Sequence, residues 1–330
     1  MDSPVGSKKK SAIIDIVGLR KTFNVLRGFF SGESIKINAL TGVNLSVYKN
    51  ETLGLVGESG CGKSTLGRLI MHLDEPTEGR ILFHGQDIFT YDRQALSKKI
   101  QLIFQDPQAS LNPRKTAGNI IGEPLLIQKV APTAEIRERV AEIMETVGLS
   151  RDQMHRYPHE FSGGQRQRIG IARAISLKPE IIIADEPVSA LDVSIQAQIL
   201  NLLKQLQQSF GLTYIFITHD LGVVRHMSDR IAVMYLGRIV ELAENKDLYD
   251  HALHPYTQAL LSAVPSPYPG RGRKKRSLLK GDVTDSSGHL TGCSFYHRCT
   301  ERMDRCEKSV PELVEKYEGH FVACHLVSDV

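Results

Sequence analysis

Residues 52–64 read TLGLVGESGCGKS, and this stretch restricts the fold more than any other part of the 330-residue chain. A short β-type run leads into Gly57-Glu58-Ser59-Gly60-Cys61-Gly62-Lys63-Ser64, a G-x-x-x-x-G-K-S string, and a helical pattern follows. The glycines let backbone N–H groups curl around an anion without Cβ interference, and the helix that follows offers the positive end of its dipole. Lys63 is spaced to contact the β- and γ-phosphates of a nucleotide, and Ser64 to hold Mg2+. A glycine-rich turn matching by chance would lack the flanking strand and helix. Cys61 reads as a small residue whose backbone faces phosphate, although its location could lower a thiol pKa.

A second element completes a candidate hydrolytic site. The apolar run 181–184 suits a strand buried on both faces of a parallel sheet, and it ends in Asp185-Glu186. Ligands of open α/β sheets bind at the carboxyl ends of the strands. Asp185 is expected to organise the Mg2+ shell and Glu186 to polarise an attacking water. An acidic pair ending a strand is common by itself; the phosphate loop makes it specific.

Between the two motifs stands Phe161-Ser162-Gly163-Gly164-Gln165, which matches the signature sequence of ABC-type ATPases except at its first residue, where Leu is usual. Gln105 after the run 100–104 matches that family's Q-loop, Ser189-Ala190-Leu191-Asp192 its D-loop, and His219 after 213–218 its switch histidine. Phe23 matches the aromatic that stacks on adenine. Over about residues 12–243 the chain resembles an ABC ATPase, with the motifs in the family's order. The resemblance implies an α/β P-loop NTPase core of the ABC ATPase type. An antiparallel β-subdomain, a helical signature subdomain at about 105–178 and a small cysteine-containing C-terminal extension would accompany it.

It also implies ATP and Mg2+ as cofactors. Gly57, Glu58, Ser59, Gly60, Cys61, Gly62, Lys63, Ser64 and Thr65 would cradle the nucleotide, and Ser64, Gln105 and Asp185 would surround the cation. Lys63, Gln105, Glu186 and His219 would carry hydrolysis. Ser162 and the two glycines would cap the helix at 166–177, making a second anion-binding N-terminus. With Gln165, that end would close over the γ-phosphate held by a partner subunit, so that two chains sandwich two nucleotides.

The strings GLVGESGCGKST, FQDPQASLNPR, YPHEFSGGQ and DEPVSALDVSIQ resemble the ATPase subunits of bacterial oligopeptide/dipeptide importers, and His254-Pro255-Tyr256 resembles the marker of their C-terminal extension. DPQASLNPR and EPLLI look more like the F-type than the D-type subunit. The implied partners are a D-type paralogue in a heterodimer, two transmembrane permeases and, indirectly, an extracytoplasmic solute-binding protein. Import of peptides is the function implied. A nickel complex or a sugar is the alternative solute, and a soluble ATPase acting on nucleic acid or ribosomes is the competing class.

Charge argues against that competitor. The chain carries 41 Lys+Arg and 37 Asp+Glu, net +4, but six of the basic residues fall in RGRKKRSLLK at 271–280. Without them the balance is 35 against 37, so the body is not basic and no nucleic-acid partner is expected. The tract itself reads as a solvated linker, with acidic headgroups as the other contact its charge suits. No apolar run approaches the roughly 18 residues of a membrane span. The start, MDSPVGSKKKSAII, has no apolar stretch of signal-peptide type after its basic residues. The expected location is the cytoplasmic face of the plasma (inner) membrane, reached through transmembrane partners.

Residues 1–11 read as a flexible tail, 12–243 as the ATPase domain and 244–330 as a C-terminal domain with a linker at about 265–290. Within the first domain, strands are expected at 12–17, 43–47, 52–56, 80–83, 100–104, 181–184 and 213–218, with a loop at 27–36. A hairpin is expected at 231–241, and helices at 133–147 and 195–210. Four of the five cysteines lie in the tail, as Cys293-x5-Cys299-x6-Cys306-x17-Cys324. A reducing compartment disfavours disulfides, and the spacing lacks the C-x2-C pairs of zinc ribbons. In the importer family similarly placed cysteines resemble the ligands of an Fe4S4 cluster. Structural zinc and unligated thiols stay open beside it, with His297, His320 and His325 as substitute ligands.

Overall fold

The computed structural model describes residues 11–26, 34–263 and 291–328. Nearly all of the expected tail at 1–11, the linker at 265–290 and the basic tract lie outside the described residues, as does most of the loop expected at 27–36. Twelve strands are described, in chain order β1 (Ala12–Leu26), β2 (Ser34–Tyr48), β3 (Thr52–Val56), β4 (Glu78–Phe83), β5 (Gln86–Asp87), β6 (Ile100–Ile103), β7 (Ile181–Asp185), β8 (Thr213–Thr218), β9 (Arg230–Tyr235), β10 (Arg238–Glu244), β11 (Val314–Tyr317) and β12 (His320–Val322).

They form an antiparallel sheet of order β2-β1-β4-β5 and a larger mixed sheet of order β11-β12-β10-β9-β3-β8-β7-β6. From β6 to β9 the larger sheet is parallel. Its central strands β3, β7 and β8 are almost wholly buried, as continuous Ile/Val/Leu-rich runs between two covering layers should be. The parallel register pairs Val56 with Thr218 and Asp185 with Ile217. The carboxyl ends of β3, β7 and β8 therefore deliver Gly57, Glu186 and His219 to one rim.

β1 and β2 are 15 residues each, far longer than expected. Gly18 and Gly42 interrupt the β pattern in sequence, yet the ladder passes both with local register shifts. Ser34–Lys36, expected in a loop, belong to β2.

The helical region is built on amphipathic pattern. The helix Thr133–Thr146 buries Ile136, Val140 and Met144 against the helices Ala117–Ile127 and Gly163–Ile175. It ends at Gly148, whose φ of 75° an L side chain would resist.

The segment 291–328 extends the main sheet. β12 pairs with β10 through Glu241↔Val322 and Leu242↔Phe321, and β11 pairs with β12. Phe295 is 2% exposed and shares a core with Val56, Tyr235 and Tyr256. The fully buried Glu241 accepts hydrogen bonds from the Leu253 and His254 N–H groups at 2.7 and 3.0 Å and pairs with His320 Nε2 at 2.8 Å. A buried carboxylate survives only with such partners. Among the described residues no helix is long and apolar enough to cross a membrane.

Candidate nucleotide site

The phosphate loop leaves β3 through Gly57, where a Cβ would stand 2.2 Å from the Met234 carbonyl oxygen. Gly62, at φ 108°, is the N-cap of the helix Lys63–Ile70, and no side chain caps that helix. Its first N–H groups are thus left for an anion. Lys63 is buried, and its Nζ donates to the Gly57 and Glu58 carbonyl oxygens at 2.8 and 2.9 Å. The ammonium spans the mouth of the loop, where a phosphate would take over as its partner. Ser59, Gly60 and Ser64 are exposed, and Thr65 is half-buried. Cys61 is 2% exposed, and burial pushes its thiol up despite Lys63 nearby, so it is not the activated thiol its position could have made it.

Across the rim, Ser64 Oγ donates to Asp185 Oδ1 at 3.3 Å. This hydroxyl and carboxylate are the hard oxygen donors that suit Mg2+, so the residues fit the cation. Burial raises the Asp185 carboxyl, the bond from Ser64 opposes that rise, and Glu186 adds to it. Glu186 is gripped on both oxygens. Gln105 Nε2 donates to Oε2 at 2.8 Å, and His219 Nδ1 lies 2.8 Å from Oε1. Its backbone has a φ of 46°, a strained value for a non-glycine residue, and its N–H donates to the Ile217 carbonyl at 2.8 Å. The strand end is thereby bent to aim the carboxylate at the rim.

Ser162 is the N-cap of the helix Gly163–Ile175 in a reciprocal capping box: its Oγ accepts from the Gln165 N–H at 3.3 Å, and Gln165 Oε1 accepts from the Ser162 N–H at 3.0 Å. Ser162 is exposed, whereas Phe161, in the place of the usual Leu, is 4% exposed. Among the described residues no hydrogen bond or ion pair joins this cap to the phosphate loop. Phe23 sits on β1 opposite Ile37, with Lys21 Nζ 4.9 Å from its ring centroid.

Residues 40–189 match the family described as ABC transporter, and residues 240–306 match the one described as Oligopeptide/dipeptide transporter, C-terminal region. The oligopeptide transport ATP-binding protein AppF of Bacillus subtilis is 52% identical over 97% of this chain and 98% of its own length. The chain belongs to the oligopeptide/dipeptide family of ABC transporter ATP-binding proteins. The dipeptide transport ATP-binding protein DppF of Haemophilus influenzae is 45% identical over 96% of this chain and 97% of its own. Both names carry the F designation that the sequence resemblance implied.

Among solved structures, the ATP-binding cassette MJ0796 bound to ADP and Pi matches with a TM-score of 0.62 and 32% identity, covering 70% of this chain and 98% of that one. The cbiO1 protein of Clostridium perfringens matches at 0.62 and 29%, covering 73% and 91%. The fold is thus that of an ABC ATPase cassette with a cysteine-bearing C-terminal region.

The extension of this ABC ATPase differs from expectation at its cysteines. Among the described residues no group of three or more His, Cys, Asp or Glu side chains is placed to hold a metal ion, so the expected Cys293, Cys299, Cys306 and Cys324 ligand set is not assembled. No disulfide joins them either. Burial, reinforced by the neighbouring cysteines, pushes the Cys293 thiol up to about 11 and raises Cys299 and Cys324 as well. Of the substitute ligands, His320 is committed to Glu241, His325 Nε2 lies 2.9 Å from the Ser309 carbonyl oxygen, and His297 is exposed.

Two residues at the nucleotide site escaped the sequence reading. Arg298 forms a forked ion pair with the Glu58 carboxylate, and the Tyr256 hydroxyl accepts from the Glu58 N–H. Tyr256 stands in the extension's marker string, a signal that could have found it. Arg298 had none.

Proposed function

We propose that this chain is the ATP-hydrolysing subunit that powers import of peptides through a membrane transporter. The grip on Glu186 by Gln105 and His219, beside the Ser64–Asp185 pair, carries the catalytic part of this reading. Lys63 releases the Gly57 and Glu58 carbonyls to take the β- and γ-phosphates. Ser64 and Asp185, with Gln105, would hold Mg2+, which would supply charge neutralisation at the phosphates. Glu186 accepts a hydrogen bond from the attacking water and polarises it, His219 fixes the carboxylate's rotamer, and Phe23 stacks on adenine. Ser162, Gly163, Gly164 and Gln165 present their helix N-terminus to the γ-phosphate held by the other subunit of a dimer.

Peptide as solute rests on AppF and DppF, named for oligopeptide and dipeptide transport. Dimer formation draws support from MJ0796, described as dimeric. We assign the second ATPase position to a D-type paralogue, the membrane-spanning positions to two permeases that hold this chain at the cytoplasmic face of the plasma (inner) membrane, and substrate delivery to an extracytoplasmic binding protein. The division into an ATPase domain at 12–243 and an extension at 244–330 belongs to the same reading. So does a soft-metal centre, an Fe4S4 cluster with zinc as the alternative, built from the four tail cysteines. Their sulfur chemistry supports it, the arrangement described above does not yet assemble it, and no step of ATP chemistry runs through it.

Glu186→Gln should bind ATP, lower phosphate release by about 10²-fold or more and accumulate a closed dimer on gel filtration. Near-normal release in a steady-state phosphate assay overturns the catalytic assignment. For the cysteines, anaerobic purification with iron, sulfide and zinc analysis should give stoichiometric iron and sulfide, or zinc; absence of all three removes the metal centre.

A further inference from the structure

Glu58, the second residue of the phosphate loop, is held at every polar group. Its carboxylate takes Arg298 Nη1 at 2.6 Å and Nη2 at 2.9 Å, its N–H donates to the Tyr256 hydroxyl at 3.0 Å, and its carbonyl accepts from Lys63 at 2.9 Å. Lys63 belongs to the loop itself. Arg298 and Tyr256 do not: both fall within 240–306, the stretch that matches the C-terminal-region family, outside the ABC transporter match at 40–189. We propose that Arg298, assisted by Tyr256, is a positioning residue through which the C-terminal extension holds the phosphate loop in its nucleotide-accepting shape.

The anchor is rigid. The Arg298 side chain is 6% exposed and stands on the single turn Tyr296–Arg298, where the Arg298 N–H donates to Phe295 at 3.1 Å and the Cys299 N–H to Tyr296 at 3.3 Å. Phe295 meets Tyr235 edge-on at 5.3 Å between centroids and Tyr256 at 5.5 Å, which fixes the turn against the Tyr256 ring. A guanidinium and a carboxylate meeting as two forks define orientation as well as distance.

The pair also settles an electrostatic conflict. A carboxylate in a loop that must receive a triphosphate repels it, and the repulsion grows as the site loses water. Arg298 neutralises the Glu58 carboxylate, while Lys63 holds the Glu58 carbonyl. When Lys63 swings to the nucleotide it abandons the Gly57 and Glu58 carbonyls. Arg298 and Tyr256 then remain on its carboxylate and its N–H. A buried ion pair elsewhere would say little about function; its position on this loop gives it one.

The test separates loop positioning from general stability. In the full-length chain, Arg298→Ala should raise the KM for ATP about tenfold while kcat changes by less than about twofold, because among the described residues no hydrogen bond or ion pair joins Arg298 to Glu186, Gln105 or His219. In the Glu186→Gln background, where hydrolysis is blocked, the ATP Kd measured by titration calorimetry should weaken by the same factor. Adding Glu58→Gln to Arg298→Ala removes the uncompensated charge and should recover most of the lost affinity, and Arg298→Lys should recover part. Tyr256→Phe removes only the acceptor for the Glu58 N–H and should raise KM about threefold; it carries the test if Arg298→Ala does not fold. Wild-type KM and Kd in folded Arg298→Ala, or in Tyr256→Phe where Arg298→Ala does not fold, overturn the proposal, whatever happens to their melting temperatures.

Discussion

Glu186 shows how much one residue's setting can add to its chemistry. A free glutamate is a weak base with many rotamers. Here Gln105 and His219 occupy its two oxygens at 2.8 Å each, and a left-handed backbone aims it. Pre-organisation of this kind lowers the barrier by removing conformations that do not react. His219→Ala should therefore cost about 10²-fold in kcat and leave the KM for ATP nearly unchanged, as steady-state phosphate release over an ATP series will show. Both residues were legible in the sequence as parts of an ordered motif series. The contact between them was not, because a histidine 33 positions from a glutamate carries no local periodic signal.

At the scale of elements, the join between β10 and the extension depends on a histidine kept neutral. His254 is 1% exposed, and its Nδ1 accepts from the Tyr256 N–H at 3.0 Å. Burial lowers its pKa to about 4, against a smaller opposing effect of Glu241. In the unfolded chain the ring titrates near its ordinary value of about 6.5. The unfolded state therefore binds a proton that the folded state refuses, and stability falls as pH drops from about 6.5 toward 4. The loss from this group should reach about 3 kcal/mol across that window. Urea unfolding at pH 7 and pH 4.5 would measure it, and His254→Gln should flatten the dependence. Sequence pattern offers Pro255 as a helix start, and the helix Pro255–Ala263 begins there. It could not show that the preceding histidine is sealed beneath β10, since burial is decided by what packs over it.

For the whole molecule, one chain assembles an almost complete site. The phosphate loop, Asp185, Glu186, Gln105 and His219 gather on one rim of the parallel sheet, whereas the Ser162 cap is exposed and unjoined to the loop. In the proposed dimer, this cap would offer its helix N-terminus to the nucleotide of the other subunit. Ser162→Arg should abolish ATP-dependent association of the Glu186→Gln chain, read by light scattering, because a bulky side chain would fill the place of the γ-phosphate. ATP affinity of the single chain should stay within about twofold, since among the described residues no hydrogen bond or ion pair joins the cap to that chain's own loop. An undiminished dimer would remove the signature from the interface.

The linear order of motifs, the strand–loop–helix at 52–70, the helix cap at Ser162 and the amphipathic helix Thr133–Thr146 followed from the amino-acid sequence alone. Each depends on neighbours a few residues away, where backbone geometry and side-chain period act directly. Tertiary structure decided the rest. It carried β1 and β2 past Gly18 and Gly42 and left the four tail cysteines without an assembled ligand set. It also added β11 and β12 to the main sheet and brought Arg298 to Glu58 across 240 positions. Such pairings are chosen by burial and charge compensation in three dimensions, and a one-dimensional pattern has no term for either.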